Sequence, residues 1–462
     1  EEPLVSRLDI IDLGYLVSAV LFIMGLKGLG RPRTAPRGNL LGAAGMFLAV
    51  LVTLLNQDIL TYTMLALALA IGTAIGAVLA LKVKMTSMPE LVALFNGFGG
   101  GASVMVAAAS FIEAVDLNAH TTQISVAAAV TAFIGAITLT GSMIAFGKLK
   151  GSLKWSGFPG LSLLRAASLL VAIPLAVLLV MQPENQGWLW ALVAAGFILG
   201  VLGTVPIGGA DMPVVIALLN ALSGVAASTT GFVLDNPLLI IAGSLVGASG
   251  LVLTQVMCKA MNRSLLEVLF TAAPTGSSSG DDDYGDGVTA TSGEEVAMLL
   301  EIAKRVVIVP GYGMAVAQAQ HAVRDLMVKL EASGVEVVFG IHPVAGRMPG
   351  HMNVLLAEAE IDYELLFDMD QINPTFARTD VTIVIGANDV VNPAARTDPD
   401  STIAGMPILD VDHSRTVVVI KRSLSPGFAG ISNPLFVADN ALLYFADARE
   451  AVLEIVAALH EG

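Results

Sequence analysis

The chain has 462 residues, 55% of them hydrophobic and 14% charged, with a formal net charge of −15 and a mean hydropathy of +0.77. Such a composition lies outside the range of soluble globular chains and assigns much of the sequence to a bilayer. The single cysteine, Cys258, excludes an intrachain disulfide and a cysteine-based metal site.

From the N-terminus, nine apolar segments come near the roughly 20 residues that cross hydrocarbon. They are Leu8 to Leu26, Leu40 to Leu55, Leu60 to Leu81, Leu91 to Ile112, Ile124 to Phe146, Leu161 to Met181, Trp188 to Val205, Pro213 to Leu234 and Leu238 to Met257. Basic residues follow the odd-numbered segments: Lys27, Arg31, Arg33 and Arg37, then Lys82 and Lys84, then Lys148, Lys150 and Lys154, then Lys259 and Arg263. The even-numbered loops, around Asp58, Glu113 to His120, Gln182 to Gly187 and Asp235, have neither Lys nor Arg. Because cytoplasmic loops retain the basic residues, the N-terminus is expected outside and everything after Met257 in the cytoplasm. The first segment has acidic residues where a signal peptide has basic ones, so it reads as a retained span, and the apparent lack of a transit peptide favours a bacterial plasma (inner) membrane. Glycines within the spans are read as helix-packing positions.

Polar residues at membrane depth are costly and often mark a path. Asn96, Asp211 and Asn220 stand out. Asp211-Met-Pro213 also suits an N-cap followed by a proline-started helix, and the two asparagines could simply bond neighbouring helices.

Beyond Phe270 the composition changes. Up to Phe270 there are 13 basic and 12 acidic residues, and beyond it 11 and 27, so the two parts carry +1 and −16. The acidic part argues against nucleic acid or anionic lipid as its partner. Residues 271–293, with Ser277-Ser-Ser-Gly280 and Asp281-Asp-Asp283, have too little apolar surface to fold alone and read as a flexible linker. Residues 294–462 alternate strand and helix patterns, as a doubly wound α/β domain does. Strands are expected at Val306 to Val309, Val335 to Gly340, Val381 to Gly386 and Thr416 to Ile420, with a shorter one at Ile408 to Val411.

The organising stretch is Arg305 to His321. A β-branched run ends in Pro310-Gly-Tyr-Gly313, and apolar residues from Val316 through Ala319, Val323, Leu326 and Leu330 recur at helical spacing. Strand, glycine turn and helix in that order favour a Rossmann-like nucleotide-binding unit over a glycine turn that only shapes a loop; in it Gly311 and Gly313 admit a pyrophosphate and Val316 stands where a third glycine is usual. The second strand ends in Phe339-Gly-Ile-His-Pro343, with no carboxylate for a ribose 2′-hydroxyl. Arg347 and the pair Lys421-Arg422 suit a 2′-phosphate, so NADP is favoured over NAD, although a solvated strand end is an equal reading of Lys421-Arg422 alone. Asn388 and Asp389 follow another strand, where turn and ligand roles weigh evenly. His342 and His351 flank the Arg347 loop, and nothing in the chain has metal-ligand spacing.

Long motifs in both halves, Pro310-Gly-Tyr-Gly-Met-Ala-Val-Ala-Gln-Ala-Gln320, the stretch from Gly340 to Val354, Val384-Ile-Gly-Ala-Asn-Asp389, Ala404-Gly-Met-Pro407, Ile207-Gly-Gly-Ala-Asp-Met-Pro-Val214 and Met257-Cys-Lys-Ala-Met-Asn-Arg-Ser264, resemble the beta subunit of proton-translocating NAD(P) transhydrogenases. The resemblance implies NADP(H) bound in an orientation flipped relative to ordinary dinucleotide folds. Its lining would be Gly311, Tyr312, Gly313, Ala315 and Val316; Val344, Ala345, Gly346, Arg347, Met348 and Pro349; Gly386, Ala387, Asn388, Asp389 and Val390; Gly405 and Met406; Lys421, Arg422, Ser423, Leu424, Ser425, Pro426, Gly427 and Phe428; and Asp447 with Ala448. Lys421, Arg422 and Ser423 would hold the 2′-phosphate, and Phe428 replaces a tyrosine common in relatives. It further implies hydride exchange with NAD(H) on an alpha partner that carries an NAD-binding domain and more membrane helices, a dimer of alpha–beta units, and coupling to proton movement through Asp211, Asn96 and Asn220. Many relatives have a proton-carrying histidine where this chain has Asn96. None of His120, His321, His342, His351, His413 and His460 lies in an expected span, so a partner helix is expected to present one, with Ser142 or Thr140 as neighbours of Asn96. A membrane transporter that only senses NADP(H) is the alternative reading.

Overall fold

The computed structural model describes residues 7–29, 34–55, 62–83, 87–153, 155, 157–158, 160–208, 211–270, 284, 287–427 and 429–459. The chain divides into two compact units, residues 1–206 with 216–253, and residues 207–215 with 254–462.

Among the described residues, nine helices are long and apolar enough to cross a membrane: α1 (Arg7–Leu29), α2 (Ala35–Leu55), α3 (Tyr62–Lys82), α4 (Met88–Asp116), α5 (Thr122–Leu149), α6 (Leu161–Met181), α7 (Gly187–Thr204), α8 (Met212–Val233) and α9 (Pro237–Ala260). They coincide with the nine expected segments. Lipid offers the backbone no hydrogen bonds, so each segment satisfies its own as a helix, apolar all round. Thr121 caps α5 by accepting from the Ile124 N–H at 3.2 Å. The helices pair through small residues, with no hydrophobic drive inside lipid. A Cβ on Gly100 of α4 would lie 2.8 Å from the Gly135 carbonyl of α5, and one on Gly243 of α9 would lie 2.7 Å from the Gly224 carbonyl of α8. Phe111, Ala128, Leu179, Leu189 and Leu192 form the buried centre of α4 to α7.

In the second unit follow α10 (Leu265–Phe270), α11 (Gly293–Glu301), β1 (Arg305–Pro310), α12 (Tyr312–Val316), α13 (Gln320–Ala332), β2 (Glu336–Ile341), α14 (His351–Glu358), β3 (Leu366–Asp368), α15 (Met369–Ile372), β4 (Val381–Ile385), α16 (Ala394–Thr397), β5 (Thr416–Lys421), β6 (Ala441–Phe445) and α17 (Ala448–Ala458). The six strands are ordered β3-β2-β1-β4-β5-β6, and every pair is parallel. This is the doubly wound order, in which the chain changes direction between β1 and β4. Val307, Val309, Val384, Val417 and Val419 lie in one buried cluster. The alternate residues Val306, Ile308, Ile383, Val418 and Ile420 are equally buried, which is why these strands read as continuous apolar runs.

Three expectations are corrected. Ile408 to Val411 is not a strand: Leu409 N–H donates to the Val390 carbonyl at 2.9 Å and the Ile408 carbonyl accepts from Asn373 at 2.9 Å, so loop groups rather than a ladder satisfy it. The helix expected from Val316 is two helices, because Gln318 takes a positive φ of 54° and ends α12 before α13 begins. The sequence reading also missed β3, only three residues long, and β6.

Most of the expected linker, at 271–283 and 285–286, lies outside the described residues. Its end packs on the second unit. Tyr284 accepts from the Asn433 N–H at 2.8 Å, and Thr289 to Thr291 pair alongside β6 through bonds of 2.8 and 2.9 Å with Leu443. Ser292 and Glu295 then form the capping box that starts α11.

Candidate functional site

Where β1 and β4 end, two glycine turns cross. Gly311 N–H donates to the Ile385 carbonyl at 2.8 Å and Gly313 N–H to the Gly386 carbonyl at 2.9 Å. A Cβ on Gly313 would sit 2.6 Å from Gly386 Cα, and Gly386 itself has a φ of 64°, so neither position accommodates a side chain. The crossing lies at the carboxyl edge of the sheet beside its switch point, where open α/β sheets bind ligands.

A cavity of about 200 Å³ opens there. Gly313, Val316, Gly386, Ala387 and Asn388 line one side, Lys421, Arg422, Ser423, Ser425, Pro426 and Gly427 another, and Asp447 with Ala448 the third. These residues were expected together, and the structure brings them together. Ala317, Ile420 and Ala446 join them; Ala446 went unnoticed because β6 did. Lys421 donates to the Ser425 carbonyl at 3.1 Å, and its ammonium stands 4.0 Å from the Phe436 ring centroid. Burial pushes its pKa down to about 8, against an opposing pull from Asp389. The Ser423 and Ser425 hydroxyls are 2.9 Å apart. The donor set and the side-chain-free glycine crossing fit a nucleotide bearing phosphates.

Asn388 and Asp389 hold the far loop. Both the carbonyl and Oδ1 of Asn388 accept from Asn433 Nδ2, at 3.2 and 3.0 Å, and Asp389 Oδ2 accepts from the Ala429 N–H at 3.0 Å. Phe428 lies outside the described residues. Asp447 caps α17 through the Arg449 N–H at 3.0 Å.

The loop from Val344 to Pro349 is not part of that cavity's lining. Two histidines shape it. His342 Nε2 donates to the Pro407 carbonyl at 2.9 Å while its Nδ1 accepts from the Val344 N–H at 3.2 Å. His351 Nδ1 accepts from the Arg347 N–H at 3.1 Å. Burial holds both imidazoles neutral, at about 4, so they serve as loop anchors. The Arg347 guanidinium stacks 4.4 Å from the Tyr312 ring centroid. Gly311, Tyr312, Ala315, Asp389, Val390, Gly405, Met406 and Leu424 are not in the cavity lining either; Met406 is in the core.

In the first unit, Asn96 of α4 donates to Ser142 Oγ of α5 at 3.0 Å, both residues buried. Thr140 instead donates to the Phe197 carbonyl of α7 at 3.0 Å. The carbonyl of Asn220 accepts from Ser223 at 2.8 Å. Two cations that sequence reasoning had not placed cap the end of α7: Arg165 Nε donates to the Leu202 carbonyl at 2.7 Å and Lys148 donates to the Val205 carbonyl, as suits the negative end of a helix dipole.

In the second unit Asp211 is 1% exposed, and both its carboxylate oxygens accept from Nη1 of Arg263, at 2.8 and 2.7 Å. Its carbonyl takes the first bond of α8 from the Val215 N–H. Burial raises its pKa, and the Arg263 charge opposes that rise.

A sequence model of the family described as NAD(P) transhydrogenase beta subunit matches residues 11–458. Two curated relatives from Rhodospirillum rubrum, each named NAD(P) transhydrogenase subunit beta, are 48% identical over 465 residues, covering 96% of this chain and 98% of each relative. The chain belongs to the NAD(P) transhydrogenase beta-subunit family.

Proposed function

We propose that this subunit binds NADP(H) at the carboxyl edge of its sheet and exchanges hydride with NAD(H) held by its alpha partner, coupled to proton movement across the membrane. A beta subunit of this family implies an alpha subunit; the NAD-binding domain on that partner and a dimer of alpha–beta units belong to the proposal. One observation carries the nucleotide choice: Lys421, Arg422 and Ser423 line the cavity beside the Gly313–Gly386 crossing, so a ribose 2′-phosphate meets donors and a pyrophosphate meets a backbone clear of side chains. NAD(H) lacks the 2′-phosphate and would leave the Lys421 charge half-buried without its anion. Hydride passes between two nicotinamides without a side-chain acid or base; the protein holds the rings in register.

The proton part places Asp211, Asn96 and Asn220 on the path, with the N-terminus outside and the nucleotide domain in the cytoplasm, as the basic loops favour. The buried Asp211–Arg263 pair supports a titratable link. Asn96 cannot titrate, so a histidine on an alpha-subunit helix would do so beside it. In this reading residues 1–270 form the translocating domain, 271–293 a linker and 294–462 the nucleotide domain. Stopped-flow hydride transfer from NADH to an NADP⁺ analogue, in proteoliposomes holding both subunits, tests the whole. Transfer that responds to an imposed proton gradient is expected; transfer indifferent to the gradient, or equal affinity for NADPH and NADH at this subunit, would overturn it.

A further inference from the structure

After α9 the chain turns sharply before α10. Asn262 holds a φ of 49°, a left-handed conformation that Asn tolerates better than most residues. The turn is closed by Asn262 N–H to the Lys259 carbonyl at 3.1 Å and Arg263 N–H to the Cys258 carbonyl at 3.0 Å. From this turn two successive side chains reach two distant parts of the same unit. Asn262 Nδ2 donates to the Ala404 carbonyl at 2.7 Å, and Arg263 holds Asp211. The next residue after Ala404 is Gly405, with a φ of 73°, where a Cβ would lie 2.7 Å from Asn262 Nδ2. Gly405 N–H is itself fixed to the Ala395 carbonyl at 2.8 Å.

We propose that Asn262 is a positioning residue that ties the Ala404–Gly405 turn to the Arg263–Asp211 pair, so that a change at either is felt at the other. The inference rests on the proposed function, with Asp211 on the proton path, and on the family resemblance, which implies that Gly405 and Met406 lie by NADP(H) although neither is in the lining of the cavity at the sheet edge. Neighbouring residues in a hydrogen-bonded turn cannot move independently. Displacing the Ala404 carbonyl therefore breaks its hydrogen bond from Asn262 or carries Asn262 with it, and the turn then moves the Arg263 backbone. Arg263 grips its carboxylate through one nitrogen, so a shift weakens both contacts together. Such coupling is reciprocal: what nucleotide binding does to the pair, protonation of the pair does to nucleotide binding.

The other titratable groups near the pair are Cys258 on α9 and Glu267 on α10, and the test leaves both unchanged. In the reconstituted holoenzyme, Asn262→Gly keeps the left-handed backbone and removes the amide, while Asn262→Asp keeps the shape and sets an acceptor against the Ala404 carbonyl. The dissociation constant for NADPH across the neutral pH range is the readout. A pH dependence present in the parent is expected to flatten in both variants, with coupled turnover down about tenfold, and in an Asp211→Asn background Asn262→Gly should change the pH profile no further. A residue that merely anchored the end of α9 would leave the pH profile intact. Parental pH dependence and coupled turnover in either variant overturn the inference; should Asn262→Gly fail to fold, Asn262→Asp decides. A parent that binds NADPH no better than NADH defeats the proposed function instead, before any variant is compared.

Discussion

Lys421 leaves the end of β5 under two pulls, the Phe436 ring beneath its ammonium and the Ser425 carbonyl ahead of it. Replacing it together with its neighbour, Lys421→Ala with Arg422→Ala, should cost NADP(H) binding about 1.5–3 kcal/mol for each charge-assisted bond lost and leave the melting temperature of the nucleotide-free protein unchanged, as calorimetric titration and thermal melting of the same sample would reveal. Because burial holds the lysine at about 8, the free subunit has lost half of that charge at this pH and most of it above. A bound phosphate favours the ammonium, so binding takes up a proton there. Affinity for NADP(H) should thus be flat below about 8 and fall as pH rises through it, whereas an affinity that rose over that interval would show Lys421 to be remote from the phosphate. Gly313→Ala should be harsher than its size suggests, by roughly 1–3 kcal/mol of overpacking, because its Cβ meets backbone at Gly386; a variant of parental melting temperature and affinity would contradict the crossing. The sequence made the glycines and the basic pair legible, since their chemistry is local. It left open whether Asn388 and Asp389 serve a turn or a ligand, and their bonds to Asn433 and Ala429 were unreadable because those partners lie some forty residues away.

At the scale of elements, the length of continuous apolar runs found the nine spans, where lipid forces every stretch of that length into a helix. It failed at Ile408 to Val411, which is as apolar as a strand but buried beneath a loop that supplies its hydrogen bonds. The start of the nucleotide domain is a testable consequence. A fragment beginning at Tyr284 keeps the Asn433 bond and the pairing of Thr289 to Thr291 with Leu443; one beginning at Glu294 loses them, and with them about 1 kcal/mol per hydrogen bond. The longer fragment should melt at the higher temperature, and equal melting would show the pairing to be idle. In the membrane, Gly100→Leu should separate α4 from α5, since even its Cβ would press on the Gly135 carbonyl. Loss of thermal stability in detergent is the expected result.

For the whole molecule, the proposed coupling demands that the proposed nucleotide domain and the membrane helices communicate and that the alpha subunit supply the NAD-binding domain. Replacing every membrane-embedded histidine of the alpha subunit should abolish proton-coupled transhydrogenation if one of them serves Asn96; full coupling without them would assign the path to water and leave Asn96 a helix-bonding residue through Ser142. The sequence by itself determined the nine apolar helices, the acidic α/β part, the glycine turn and the family, because these rest on composition, on periodicity and on contiguous motifs. The tertiary structure alone decided that Gly313 and Gly386 cross, that Asn96 turns to Ser142 and not Thr140, that His342 and His351 are neutral anchors, and that Asn262 and Arg263 reach Ala404 and Asp211. Each of those joins residues far apart in the chain, and such pairings are chosen by packing and by the need to satisfy buried polar groups, which no local pattern encodes.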